Sequence, residues 1–332
     1  INKKRQSDVT AVEVEILRGA STVITSGQLA VTLYQAGPVT AKTRPRTLRA
    51  QSHTSLWFVA KADLAATPPG GTVRATEVRL PIPTGHLYVD HDEVDAKVRV
   101  VAQHAPLADL TLVLAPDDTD HRGGRPLPPA YEGMITVAVQ PSVIGRYVID
   151  PATGDVHDAE VAHDTERVWG GVLPTTDIYS ERARAHQRQL WYVGAGYDPD
   201  LVPESWWRLY GDATDGVVAP DDLPDHAIPG SLARFDLEAM KVAEVWSYED
   251  GAFPSPPTFV PRAGAEDPED GYVLVVVHRD GPKELQLFDA GHIEAGPLAR
   301  ATAPGFNPSL LLHSTWLPDR DTANTTFNNQ II

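Results

Sequence analysis

Short hydrophobic stretches that alternate with polar residues, or that are rich in β-branched residues, recur along almost the whole chain. Such stretches are typical of β-strands, and this pattern limits the fold more than any other feature of the sequence. The predicted strands lie at residues 11–17, 56–61, 72–82, 96–103, 110–115, 134–140, 146–150, 189–196, 231–236, 242–248, 272–280, 284–290 and 297–303. The sequence shows no regular alternation of strands with helices, so we do not expect a parallel sheet with crossover helices.

The connections between these stretches carry turn residues. Pro151 and Gly154 interrupt "DPATGDV", and Asp280 with Gly281 is a hairpin signal in "RDGPKE". Antiparallel hairpins over a chain of 332 residues favour a β-propeller over a sandwich, because repeated four-stranded blades absorb a long chain without long open edges. We therefore expect an all-β fold in which residues 11–332 form one β-propeller domain and residues 1–10 form a disordered tail.

One short helix is predicted at residues 202–212, "VPESWWRLYGD", with Gly211 ending it. Three of its apolar residues have the i, i+3, i+4 spacing of a single helix face. These residues are Trp206, Leu209 and Tyr210. The proline- and aspartate-rich stretches 115–133 and 218–230 read as loops, so we expect the helix and loops to cover one face of the propeller.

Charge and composition narrow the possible partners. Lys and Arg total 28 against 45 Asp and Glu, a formal net charge of -17, which disfavours nucleic acid as a partner. The sequence has no cysteine, so any metal must bind His, Asp or Glu. No stretch approaches the roughly 18 apolar residues of a membrane span, and we expect a soluble, cytoplasmic protein.

Individual motifs leave several interpretations open. His313 ends the apolar run "LLLHSTWLPD" and reads either as a buried core histidine or as a metal ligand. His91, Asp92 and Glu93 have the His-x-carboxylate spacing of some Fe(II) sites, and "DHDEVD" at residues 90–95 resembles a calcium loop without its glycine. Both acidic patterns are short and are more typical of solvated turns.

The C-terminal third resembles the carotenoid cleavage oxygenase family. Its ordered elements are F-V-P-R at residues 259–262, an acidic loop into D-G-Y at 270–272, a strand ending in D-A at 289–290, G-P-x-A at 296–299 and a terminal H-x-x-W at 313–316. The resemblance extends upstream through "GRYVIDPATGDV" and "GGTVRATEVRLPIPTGHLYVDHDE" to about residue 45. It also includes "STVITSGQL" near the N-terminus.

This resemblance implies a seven-bladed propeller whose axis holds a non-haem Fe(II) ion bound by four histidines at inner strand ends. His313, from the H-x-x-W element, carries over as the fourth ligand. His86 in "PIPTGHLYVD" is the best match to the third ligand, with His91 and His104 as rivals. His53 precedes its predicted strand, and we expect it to be structural. No organic cofactor is implied.

Two departures from the family pattern stand out. The family's first two ligands lie between the "TSGQL" and "PRTLRAQ" segments, but here residues 30–44 separate those segments and contain no histidine. The chain therefore either lacks an internal segment or has lost the iron. Pro256 also stands where many members have a glutamate that bonds and orients a ligand histidine.

The resemblance implies a dioxygenase that uses O2 to cleave a carbon-carbon double bond in a carotenoid, apocarotenoid or stilbene-like substrate, giving two carbonyl products. Because two ligands cannot be assigned, catalysis itself stays open. One alternative is a non-catalytic propeller that binds an apolar ligand or a protein partner. Another is a calcium-dependent propeller hydrolase that uses the acidic loops. The sequence specifies neither the substrate nor the oligomeric state.

Overall fold

The computed structural model describes residues 13–15, 21–26, 53–68, 70–91, 96–129, 132, 135–136, 139–174, 187–248, 251–279, 281–308, 314 and 316. Most of its regular structure is β-strand. The strands are β1 (Glu13–Glu15), β2 (Ser21–Ser26), β3 (Thr54–Ala60), β4 (Thr76–Leu80), β5 (Thr84–His91), β6 (Val98–His104), β7 (Asp109–Val113), β8 (Ile135–Thr136), β9 (Val143–Ile149), β10 (Val156–His163), β11 (Gly171–Pro174), β12 (Gln189–Gly194), β13 (Ser231–Asp236), β14 (Lys241–Ser247), β15 (Phe253–Pro254), β16 (Thr258–Pro261), β17 (Gly271–His278), β18 (Glu284–Asp289) and β19 (Ala299–Ala301). The helices are α1 (Lys61–Ala66), α2 (Glu204–Tyr210) and the 3-10 turns Pro199–Leu201, Pro220–Asp222 and Ile293–Ala295.

Four antiparallel meanders account for nearly all of these strands. The first sheet has the order β1-β2-β3-β4, the second β5-β6-β9-β10, the third β11-β12-β13-β14 and the fourth β15-β17-β18-β19, with β16 also pairing with β17. Strands β7 and β8 form a separate two-stranded ribbon, which lies in the connection that runs from β6 to β9 along the chain. Each meander has the form of a propeller blade.

The four sheets pack face to face in sequence order because strand residues alternate between the two faces of a sheet. On β6, Val100 and Ala102 pack with the first sheet, whereas Val101 packs with the third. On β12, Leu190 and Tyr192 belong to the cluster shared with the second sheet, and Trp191 belongs to the cluster shared with the fourth. The all-β, propeller-type fold expected from the sequence is confirmed.

The last strands of the second and fourth sheets lie toward solvent, so we place the first strand of each meander toward the propeller axis. Strand β10 exposes most of its residues, including Val156 and Val161, and β19 is exposed throughout. The inner strands are therefore β1, β5, β11 and β15 with its continuation β16. Because each meander runs outward from its inner strand, the inner strands point the same way, and we call the end at which they begin the upper end.

The long connections between second and third strands emerge at this upper end. Two of them, residues 105–142 in the second sheet and 195–230 in the third, form what we call the cap, which contains the β7-β8 ribbon and α2. The sequence predicted α2 correctly: Trp206, Leu209 and Tyr210 are all buried. Their main neighbours lie in the apolar cluster that joins both cap segments.

Some elements differ from the expectations drawn from the sequence. Strand β5 was missed because its residues, "TGHLYVDH", show no continuous apolar alternation. The outer strand β10 was missed because nearly all of its residues face solvent. The predicted strand at 56–61 ends one residue early, since α1 begins at Lys61. Among the described residues, no helix has the length and apolar character needed to cross a membrane.

Candidate functional site

His86 lies at the upper end of the second sheet, as the third residue of the inner strand β5. Its side chain is half-buried. A histidine near the beginning of an inner strand is where the resemblance predicted a metal ligand. The rival His91 is the last residue of the same strand, roughly 16 Å further along at about 3.3 Å per residue. The two histidines therefore belong to opposite ends of the axis.

A β-bulge decides which way His86 faces. Thr84 is paired with His104 on β6 and His86 with Gln103, so two steps along β5 correspond to one along β6. His104 lies on the face of β6 that packs against the first sheet, and Gln103 lies on the opposite face. Although residues i and i+2 of a regular strand share a face, Thr84 therefore faces the first sheet and His86 faces away from it.

The second rival, His104, is fully buried and uses both ring nitrogens. Its Nδ1 lies 3.1 Å from Thr84 Oγ1, and its Nε2 lies 2.7 Å from the hydroxyl of Tyr147. Burial lowers the pKa of His104 to about 4, so the imidazole is neutral at pH 7. His104 is therefore a structural histidine of the second sheet, with neither nitrogen available to a metal.

His313 lies outside the described residues, so its placement stays a prediction. The next residue, Ser314, is described, and its hydroxyl forms a hydrogen bond with the Thr258 hydroxyl. Thr258 begins β16, in the inner strand of the fourth sheet. The chain next to His313 therefore reaches the inner edge of this sheet. His53 immediately precedes β3, the third strand of its sheet, and its expected structural role also stays a prediction.

Pro256 is buried in the short break between β15 and β16. Its side chain has no hydrogen-bonding atom, so it cannot orient an imidazole as a glutamate would. The preceding residue, Ser255, is fully buried, and its hydroxyl lies 2.8 Å from His278 Nε2. Serine and histidine therefore form the polar contact at this break.

The cap places an apolar layer over the upper end. Trp206 is completely buried and donates its indole N–H to the carbonyl oxygen of Leu107 at 3.0 Å, which ties the two cap segments together. Gln140 accepts hydrogen bonds from the backbone N–H groups of Val217 and Val218. This double contact fixes a second point between the segments. The two cap segments are therefore held together by a buried apolar cluster and by these polar contacts.

The described residues contain no group of three or more His, Asp or Glu side chains that could hold a metal ion. Of the three candidates for the third ligand, His86 is the one that remains at the upper end of β5, because His91 lies at the other end of that strand and His104 is engaged at both ring nitrogens. This part of the chain therefore does not complete the four-histidine site that the resemblance implies. Sequence reasoning also missed the contacts of Thr84, His104 and Tyr147, which join strands distant in sequence and have no local signal.

Curated relatives match part of the chain. A carotenoid cleavage dioxygenase 8 from Arabidopsis thaliana is 36% identical over 91 residues, covering 27% of this chain and 15% of the relative. A beta,beta-carotene 15,15'-dioxygenase from Mus musculus is 32% identical over 97 residues, covering 28% of this chain and 16% of the relative. These matches span less than a third of the chain and a small part of each relative.

Solved structures match most of the chain in fold. A Synechocystis ACO mutant superposes with a TM-score of 0.53 at 13% identity, covering 92% of this chain and 53% of that protein. An ACO/RPE65 chimera gives a TM-score of 0.52 at 13% identity with the same coverage. The chain thus spans about half the length of these structures, and at this identity they establish the fold alone.

The family model described as "Retinal pigment epithelial membrane protein" matches residues 82–318, which is more than half of the 332 residues. This range contains His86, the bulge on β5, both cap segments and the C-terminal H-x-x-W element. The chain therefore belongs to this family, the carotenoid oxygenases.

Proposed function

We propose that this chain is the propeller part of a non-haem Fe(II) dioxygenase that cleaves a carbon-carbon double bond of a carotenoid, apocarotenoid or stilbene-like substrate to two carbonyl products. The observation that carries the proposal is the position of His86, at the beginning of an inner strand beneath an apolar cap. Ser314 supports a second ligand at His313, because it reaches the inner strand of the fourth sheet.

His86 and His313 would hold the iron as neutral imidazoles, the form in which histidine donates to a metal. When bound, Fe(II) supplies open coordination positions at which O2 is activated. The cap residues would bind the apolar substrate, orient its double bond and exclude water from the upper end. Membership of the family and relatives named as carotenoid dioxygenases support this assignment of substrate class.

The number of histidine ligands limits iron binding and catalysis by this 332-residue chain. Four neutral imidazoles act together in the implied site, whereas residues 27–52 contain no histidine to supply the first two. With only two donors the affinity for Fe(II) falls steeply. We therefore expect weak iron binding and little or no alkene cleavage by the printed sequence. A version with the family's histidine-bearing segments restored between β2 and β3 should regain both.

The test combines metal analysis with a cleavage assay. Iron would be measured after anaerobic reconstitution with Fe(II), and oxygen-dependent loss of an apocarotenoid and a stilbene would be followed by chromatography. In the restored version, His86→Ala and His313→Ala should each abolish turnover, whereas the matched control His53→Ala should leave it nearly intact. Stoichiometric iron and rapid turnover in the printed sequence would show that other histidines complete the site.

The same measurements separate the remaining alternatives. Binding of an apocarotenoid by the restored version without iron or turnover would indicate a non-catalytic propeller, and stoichiometric calcium would indicate a hydrolase. Residues 11–332 as a single domain, residues 1–10 as a tail and a cytoplasmic location are part of the same proposal. Fractionation of cells that produce the protein would test the location.

A further inference from the structure

Four polar residues form a continuous hydrogen-bonded chain through the interior of the upper end. The backbone N–H of Thr84 donates to Thr54 Oγ1 at 2.9 Å, and Thr84 Oγ1 lies 3.1 Å from His104 Nδ1. His104 Nε2 lies 2.7 Å from the Tyr147 hydroxyl. All four residues are buried. This series of hydrogen bonds therefore joins β3 of the first sheet to β5, β6 and β9 of the second.

The direction of each hydrogen bond follows from the chemistry of a neutral imidazole, which has one donor nitrogen and one acceptor nitrogen. The Thr84 hydroxyl donates its single proton to the carbonyl oxygen of Ile82 at 3.5 Å, so it accepts the hydrogen bond from His104 Nδ1. Nε2 then accepts from the Tyr147 hydroxyl, whose pKa burial raises above the usual range.

Gly145 provides the space for this contact. A Cβ atom at Gly145 would lie 2.6 Å from His104 Nε2 and 2.7 Å from the Tyr147 hydroxyl. Gly145 is opposite Ala102 in the β6-β9 pair, on the face that packs against the first sheet. The missing side chain thus lets the imidazole and the phenol meet.

This hydrogen-bonded chain acts on the residue that sets the register of β5. Thr84 is the last β5 residue before the bulge, and His86 is the first residue after it. If the pairing became regular, Gly85 would oppose Gln103 and His86 would oppose Ala102. A slip of one residue reverses the side chains of a strand. His86 would then point into the apolar layer between the first and second sheets instead of away from it.

We propose that Thr84, His104 and Tyr147 are positioning residues for His86: their buried hydrogen bonds hold the β5 bulge and so keep the His86 imidazole on the face directed away from the first sheet. The role of His86 as a ligand rests on the proposed function, whereas the control of its orientation does not. None of the three positioning residues is itself a metal ligand.

The test uses the whole chain labelled with 13C in its histidine rings, with the His86 signals assigned by their loss in His86→Gln. The unmodified protein should give one set of His86 ring signals. Thr84→Val and Tyr147→Phe each remove one hydroxyl and should produce a second set, from molecules in the alternative register. Thr84→Ser, which keeps the hydroxyl, should restore the single set.

Tyr248→Phe is the matched control. Tyr248 is also buried, but its hydroxyl has no hydrogen-bond partner among the described residues. Its removal should leave the His86 signals unchanged. Urea unfolding of every variant would be measured alongside, because a purely structural role would lower stability without changing those signals. One unchanged set of His86 signals in both Thr84→Val and Tyr147→Phe would overturn the proposal.

Substoichiometric Cu2+, a strong imidazole binder, separates this inference from the proposed function. If His86 is a ligand, Cu2+ should broaden its signals in the unmodified protein. In Thr84→Val and Tyr147→Phe the broadening should weaken in proportion to the population that keeps the original register. Split signals that Cu2+ never broadens would support the positioning role and contradict the ligand role of His86.

Discussion

Gly145→Ala should strongly destabilise the fold, because the added Cβ would lie 2.6 Å from His104 Nε2. Strand β9 is paired on both edges, with β6 and β10, so its backbone cannot move aside. The side chains of His104 and Tyr147 must separate, which leaves buried polar groups unpaired at about 1–3 kcal/mol. The added methyl group also overpacks the core, at about 1–3 kcal/mol. Alanine recovers roughly 0.4–1 kcal/mol through the unfolded chain.

With both losses acting and the gain from alanine subtracted, the net loss should be about 1–5 kcal/mol in the free energy of unfolding. Urea unfolding followed by tryptophan fluorescence would measure it. The control is Gly123→Ala, since the nearest atom to a Cβ there is 3.5 Å away and the change should stay within about 0.5 kcal/mol. In a Tyr147→Ala background, Gly145→Ala should cost much less, because two of the three crowded contacts are gone and His104 can shift into the space that the phenol leaves.

Two results would refute this reasoning. A Gly145→Ala variant as stable as Gly123→Ala would show that His104 and Tyr147 do not meet beside Gly145. Strict additivity with Tyr147→Ala would show that the loss comes from the backbone of β9 rather than from crowding. In either case the hydrogen-bonded chain that holds Thr84 would lack its support in β9.

Three further predictions concern the buried histidine, the cap and the metal. Burial lowers the pKa of His104 from 6.5 to about 4 in the folded protein, so the free energy of unfolding should fall by roughly 3 kcal/mol as the pH falls from about 6.5 to 4. Urea unfolding of His104→Gln should not show this loss. The same pH dependence in His104→Gln and the unmodified protein would contradict the prediction. Trp206→Ala should destabilise the protein by about 3–5 kcal/mol. Trp207→Ala should destabilise it by less, because Trp207 is only half-buried. Thermal unfolding would measure both losses, and equal losses would argue against the packing described for the cap. In the restored version, His313→Ala should remove most of the bound iron and His53→Ala little, by elemental analysis; the reverse order would exchange their roles.

Local pattern was enough for many elements of the fold. The strands around Val100, Leu190 and Val275 were predictable because their residues are buried on both faces or alternate cleanly. Helix α2 was predictable because its tryptophan, leucine and tyrosine share one face. The inner strand that carries His86 gave no such signal, since it lies at the edge of its sheet and its residues do not alternate regularly between apolar and polar.

The sequence by itself determined the strand-rich fold, the family and two candidate ligands, because hydrophobic period and short motifs are properties of neighbouring residues. Tertiary structure decided that His86 belongs to an inner strand beneath the cap, that His104 is closed off and that a bulge turns His86 away from the first sheet. These facts depend on hydrogen bonds that join Thr84 to Thr54 and His104 to Tyr147, which are 30 and 43 residues apart. Only packing of one sheet on the next brings such partners together.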